Sequence, residues 1–240
     1  MTNEKSATNA KSAIARPFDI VGFDLDGTLL DTSPDLLAAV NAVLGQAGRP
    51  LLRVDEIKTM IGGGAKHMLQ LGFEASGGID AVEFRTHYKA MLRHYEANVS
   101  AGTRPFDGAL AVLDALDAAG VKTAIVTNKF ESLAVKLLGE LGLLDRFVTV
   151  IGGDTLGKGN AKPSAAPIVE MIDRCGGGKA VFLGDSIYDI MAAKNAGIPS
   201  IAVSFGFLHG PVEELGADAV IDHYDELLPA LASLSGCHPA

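Results

Sequence analysis

Cysteine is scarce in this chain: Cys175 and Cys237 are the only two in 240 residues, and they share no ligand-like spacing. That excludes a disulfide framework and a cysteine-built zinc site, and it fits a reducing, cytoplasmic setting. No apolar run approaches the roughly 20 residues that a membrane-spanning helix needs. With 48% hydrophobic residues, the chain instead reads as a globular protein with ample material for a core. Basic charge is also short, with 20 Lys and Arg against 29 Asp and Glu, a net charge of −9 and a pI near 5.1. There is thus no basic footprint for nucleic acid or an anionic membrane, and the expected partner is a small molecule. Internal repeats are missing. The opening MTNEKSATNAKSAIARP (1–17) lacks the apolar stretch of a secretory signal and reads as a loose tail, with a targeting peptide as the alternative.

The remainder alternates between two patterns. Short β-rich runs stand at 18–25 (FDIVGFDL), 121–127 (VKTAIVT), 147–153 (FVTVIGG), 180–185 (AVFLGD) and 200–205 (SIAVSF), with helix-period segments between most of them. This is the pattern of an α/β fold, a parallel sheet with helices on both faces. Each run is apolar throughout, as strands covered on both sides must be. One interval breaks the rhythm, because the long stretch between the first two runs shows helical periodicity and little strand signal. Helices are expected there at 33–48, 54–61, 65–73 and 79–97, separated by Gly-rich and Pro-containing turns. They form an inserted helical unit over 33–103, leaving a core of 18–32 and 104–240.

In open parallel sheets, ligands bind beyond the carboxyl ends of the strands near a topological switch point. Asp24 and Asp26 follow the first run, Thr127 and Asn128 the second, and Asp185 with Asp189 the fourth. Asp-Gly makes turns, and Ser33 or Asp31 can cap a helix, but turn chemistry requires no second acidic group converging from GDSIYDI. Carboxylates gathered at neighbouring strand ends repel one another unless a cation neutralises them. A hard divalent ion suits such oxygen donors, and Mg2+ is expected on Asp24, Asp26, Asp185 and Asp189. Lys162 lies in a Gly/Pro-bounded loop; beside that crevice, a lysine and a hydroxyl such as that of Thr127 match the oxygens of a phosphoryl group.

FDLDGTLLDT (23–32), TN (127–128), KP (162–163) and GDSIYDI (184–190) together resemble the four ordered motifs of the haloacid dehalogenase superfamily. The resemblance covers about residues 18–227 and implies a Rossmann-like core with the helical insertion as a cap domain. The segment VSFGFLHGPVEELGADAVIDHYDEL resembles that of bacterial phosphoglycolate phosphatases. What the likeness implies is a magnesium-dependent phosphatase in which Asp24 is the nucleophile and Asp26 the general acid/base. Thr127, Asn128 and Lys162 would bind phosphate, and Asp185 and Asp189 would surround the metal. A second aspartate two positions after the nucleophile suits phosphate esters, whose alkoxide leaving group needs a proton.

There are departures from the pattern. KPSAAP has Ala165 where such loops often carry a proline, which makes Lys158 a rival to Lys162, and Tyr188 replaces a smaller polar residue. IGGGAKHML resembles the family's substrate loop, so Gly63, Gly64, Lys66 and His67 are expected to touch the substrate, with Lys66 and His67 meeting a carboxylate. Phosphoglycolate is the first expectation. Sugar phosphates or nucleotides, a phosphosugar mutase and a non-catalytic binding protein of the same fold are the alternatives. The apolar faces of the insertion fit either a monomer or a homodimer.

Overall fold

The structure, a computed structural model, describes residues 17–235, so the expected tail, apart from Pro17, and Cys237 lie outside the described residues. Its centre is β1 (Ile20–Phe23), four buried residues paired in parallel with β4 (Lys122–Val126) on one side and β6 (Ala180–Gly184) on the other. Beyond β4 lies β5 (Val150–Ile151), and beyond β6 lie β7 (Ser200–Val203) and β8 (Ala219–Ile221), giving the order β5-β4-β1-β6-β7-β8. The chain therefore builds outward from β1 in one direction, then returns and builds in the other. Crossing back leaves the switch point at β1, where the ends of β1, β4 and β6 stand side by side.

Neighbouring residues of one strand serve opposite layers, which is why the runs do not alternate in polarity. Val21, Phe23, Ile125, Val181 and Leu183 face one apolar cluster, while Ile20, Ala124, Val126 and Phe182 face the other. The second cluster is closed by Ile168 and Met171 of α7 (Ala166–Arg174) and by Ala192 and Ala193 of α8 (Ile187–Asn195). Each large side chain so buried contributes about 1.5–3 kcal/mol relative to exposure.

The expected runs are present as strands, although β5 keeps only two residues of its seven-residue run. β8 escaped the sequence reading because its three residues include an exposed valine and lie at the sheet edge, where one neighbour is enough. Between Asp31 and Arg104 the described chain forms helices α1 (Ser33–Gln46), α2 (Val54–Lys58), α3 (Ala65–Glu74) and α4 (Ala81–Ala97), with α1 packed on the other three. The insertion leaves and re-enters the core through a two-residue antiparallel ladder of β2 (Leu30–Asp31) and β3 (Arg104–Pro105). Asp35 ties the return, accepting hydrogen bonds from the Gly102 and Thr103 amides at 2.7 and 2.8 Å. After β3 come α5 (Ala109–Ala118), α6 (Glu131–Glu140), α7, α8 and α9 (Leu227–Ser235). Among the described residues, no helix is long and apolar enough to cross a membrane.

Candidate active site

The site begins where β1 ends. The Asp24 amide donates to Leu183 O on β6 at 2.9 Å, which keeps the chain in sheet register up to the first carboxylate. Gly27 then turns back with φ +83°, and a Cβ there would fall 2.1 Å from Asp185 Oδ2. Only glycine allows both that backbone angle and that approach. The turn is held from two sides: Thr28 Oγ1 donates to Asp185 Oδ1 at 3.3 Å, and the buried Tyr224 hydroxyl donates to Thr28 O at 2.8 Å. On β6, Gly184 performs the complementary service, since a Cβ there would lie 2.2 Å from Asp189 Cβ. Asp189 sits in the first turn of α8 and closes a reciprocal cap with Ser186, a favourable place for negative charge. Asp185 Oδ2 is fixed by the Phe207 amide at 2.6 Å.

Asp24, Asp185 and Asp189 are all buried, and one oxygen of each lies within 4.8 Å of the others. The Lys162 ammonium sits among them, 2.8 Å from Asp24 Oδ1 and 2.5 Å from Asp189 Oδ1, and also donates to Val126 O at 2.9 Å. Burial pulls the Lys162 pKa down, but Asp189 and Asp24 outweigh it and hold the ammonium above the ordinary lysine value. For Asp24 the balance goes the other way: burial pushes its carboxyl up to about 7 against the pull of Lys162, and Asp189 adds to the rise. Asp185 is likewise raised, by burial first and then by Asp189 and Asp24.

Asp26 is expected among the metal ligands, but its carboxylate is turned out of this cluster. Both of its oxygens accept from Lys129 Nζ at 2.7 Å, a pairing that an almost fully buried ammonium requires of its nearest acid. Counting charge, the strand ends hold four carboxylates against two ammonium groups, Lys129 and Lys162. A divalent cation on Asp24, Asp185 and Asp189 would close that gap, and three hard oxygen donors with no imidazole or thiolate fit magnesium.

An experimental consequence follows from Asp24. Its pKa in the folded chain, about 7, lies above the ordinary 3.8, so between those values the folded form holds a proton that the unfolded chain has released. Raising the pH through that window therefore removes stability from the metal-free protein. Asp24→Asn cannot ionise, so without magnesium its Tm should rise relative to the parent between about pH 4 and about pH 7 and level off above that. Excess Mg2+ should narrow the difference by favouring the ionised parent. A difference that is flat with pH in thermal unfolding would refute this.

A cleft opens between the strand ends and the insertion. Asp24, Asp26, Thr127, Asn128 and Lys129 line its floor, and Gly62, Gly64, Met68, Met91 and Tyr95 line its other walls. Asn128 reaches across it, with Nδ2 donating to Gly62 O at 3.2 Å and to Lys162 O at 3.3 Å. His209 pairs with Ile61 O at 2.9 Å, so the glycine loop of the insertion is fastened to the core at two adjacent carbonyls. Lys66 and His67 do not line the cleft. They project as exposed side chains from the first turn of α3, because the buried face of that helix is taken by Met68 and Leu69. Gly63 is also absent from the lining, and a Cβ there would meet the His67 ring at 2.6 Å. Lys158, the rival to Lys162, is exposed. Tyr188 stands beside Gly62, 3.9 Å from the position a Cβ would take there.

Three side chains that the sequence reading passed over belong to this region. Lys129, Tyr95 and Tyr224 are each buried there. A lysine directly after TN at a strand end was the available signal for Lys129, but a lysine entering a helix is ordinarily solvated. Nothing local marks the two tyrosines, whose partners are distant in sequence.

The family model for haloacid dehalogenase-like hydrolases matches residues 21–203. Among curated proteins, the chain is 39% identical to a phosphoglycolate phosphatase of Caulobacter vibrioides over 92% of this chain and 93% of the relative. It is 40% identical to a phosphoglycolate phosphatase of Agrobacterium fabrum over 87% of this chain and 90% of that one. Among solved structures, one described as a predicted phosphoglycolate phosphatase from Haemophilus somnus superposes with a TM-score of 0.83 at 28% identity, covering 89% of this chain and 98% of the other.

Proposed function

Since the chain belongs to the haloacid dehalogenase-like hydrolase family and is a phosphoric monoester hydrolase of that family, we propose that its substrate is 2-phosphoglycolate, split to glycolate and phosphate. The observation that carries the chemistry is the division of labour between two aspartates two residues apart. Asp24 lies inside the buried acidic cluster next to Lys162, while Asp26 stands apart on Lys129. The choice of ester rests on the relatives, which share this chain's length almost end to end.

In this reading Asp24 attacks phosphorus in line, the bond to the alkoxide breaks, and an aspartyl-phosphate forms. Asp26 protonates the departing oxygen and then takes a proton from the water that cleaves the acyl-phosphate. Lys162 and Thr127, at the ends of their loop and strand, balance charge on the transferring oxygens. Asp24, Asp185 and Asp189 would hold Mg2+, which when bound neutralises negative charge on the phosphoryl group. The insertion covers the cleft and keeps water from the reacting atoms, with Asn128 and His209 as its points of attachment. The low cysteine content supports a cytoplasmic location, with the chain acting as a monomer or homodimer.

A panel of small phosphate esters tests the reading, assayed for phosphate release in magnesium and in excess chelator. Phosphoglycolate should give the highest kcat/KM, and chelator should remove turnover. A sugar phosphate or nucleotide preferred by about tenfold, which corresponds to 1.4 kcal/mol in transition-state binding, would displace it.

A further inference from the structure

The Lys129 ammonium is almost fully buried, and of the described residues lining the cleft Lys129 is the one cation. It grips both oxygens of Asp26 and rests 4.9 Å from the centroid of the Tyr95 ring. Tyr95 is 3% exposed, it lines the same cleft beside the Lys129 ammonium, and its hydroxyl proton finds no acceptor among the described residues. A buried donor without an acceptor is rare, and one facing a ligand cleft is what an oxygen of a bound ligand would satisfy.

Position decides which part of a substrate that oxygen belongs to. Lys162 is committed to Asp24 and Asp189, the phosphoryl end of the site. Asp26 is the group that meets the leaving oxygen, so whatever touches Asp26 lies beside the leaving group. In phosphoglycolate, the carboxylate carbon is two bonds from that oxygen. We propose that Lys129, assisted by the Tyr95 hydroxyl, seats the carboxylate of the substrate and is the specificity-determining residue of this enzyme. The inference rests on the phosphoglycolate reading and deepens it. Lys66 and His67 project away from the cleft and leave this role open.

An ammonium has three donors, enough to keep Asp26 oriented while one or more turn to a carboxylate. Burial lowers the Lys129 pKa, but Asp26 and then Tyr95 more than compensate, so the group stays a cation in the cleft. The same contact explains how one residue can couple recognition to catalysis: a carboxylate that draws on Lys129 loosens its hold on Asp26 beside the leaving oxygen.

The test compares phosphoglycolate with 2-hydroxyethyl phosphate, a neutral-tailed ester of similar size, as a ratio of kcat/KM values within one preparation. Loss of folded protein cancels in that ratio, and so does a defect that only misplaces Asp26. The parent should favour phosphoglycolate, and Lys129→Met should lower the ratio by about 10- to 100-fold, the scale of a hydrogen bond to a charged group. Tyr95→Phe, which keeps the ion pair, should lower it by about 3- to 10-fold. A parent with no preference would remove the substrate reading and this inference with it. A parent with the preference and a Lys129→Met variant that retains it would overturn the inference alone. Should Lys129→Met be inactive on both esters, an unchanged ratio in Tyr95→Phe overturns it equally.

Discussion

Asp24→Asn should lower kcat for phosphoglycolate by about 10⁴–10⁶-fold, the scale on which enzymes lose rate when a residue of their covalent machinery is removed. The substitution is nearly isosteric, and Lys162 keeps Asp189 as a partner, so the fold has no reason to fail. Without magnesium the variant should even be the more stable protein above neutral pH, because it lacks a buried carboxylate that is costly to ionise. Death of activity with retained or raised Tm separates a lost nucleophile from a lost fold. Phosphate release at more than about a hundredth of the parental rate would show that Asp24 does not form the covalent bond, since residual binding and charge stabilisation alone cannot sustain it.

Asp26→Ala should lower turnover of an alkyl ester such as phosphoglycolate by about 10²–10⁴-fold, the usual worth of a positioned general acid/base. An activated aryl phosphate separates its two tasks, because that leaving group departs with little protonation. Asp24 should then be phosphorylated quickly while hydrolysis stalls for want of a base, and rapid quenching should reveal a burst of enzyme-bound phosphate. The structure adds a complication that the variant must answer. Removing Asp26 leaves the Lys129 ammonium buried without its acid, a loss that runs to about 3–5 kcal/mol when one half of a buried pair is deleted. Asp26→Asn keeps a carbonyl acceptor for Lys129 and should show the same burst with less loss of stability. Parental rates on both substrates in both variants would reduce Asp26 to a turn residue.

Much of this was legible in one dimension. Five apolar runs, covered along most of their length rather than alternating, point to a parallel sheet with helices on both faces, and the helical insertion is visible because a period of 3.6 replaces strand signal over a long interval. The positions of Asp24, Thr127 and Asp185 at strand ends also follow from the sequence, since a strand's last buried residue fixes where its loop begins. Even the glycines of FDLDG and LGD stand in the right places, although their reason, the approach of Asp185 to Gly27 and of Asp189 to Gly184, is a contact between segments about 160 residues apart in one case and a helix turn in the other.

Only the tertiary structure decided the pairings. Sequence spacing places Asp26 two residues from Asp24 and invites a shared metal, whereas the folded chain turns them to different ammonium groups, because β1 has ended at Phe23 and the chain is already turning towards Gly27, so the rule that residues two apart share a face no longer holds. It buried Lys162 among the aspartates and left Lys158 exposed. It set Lys129 in the cleft and Lys66 and His67 outside it, since α3 spends its inward face on Met68 and Leu69 and leaves its charged residues exposed. Tyr95 and Tyr224 gain their places from α4 and from the segment after β8, elements whose own patterns say nothing of the strand ends they reach. Periodicity records which face of an element is buried; which polar group meets which across a cleft depends on how the elements dock, and that is written in no local stretch of the chain.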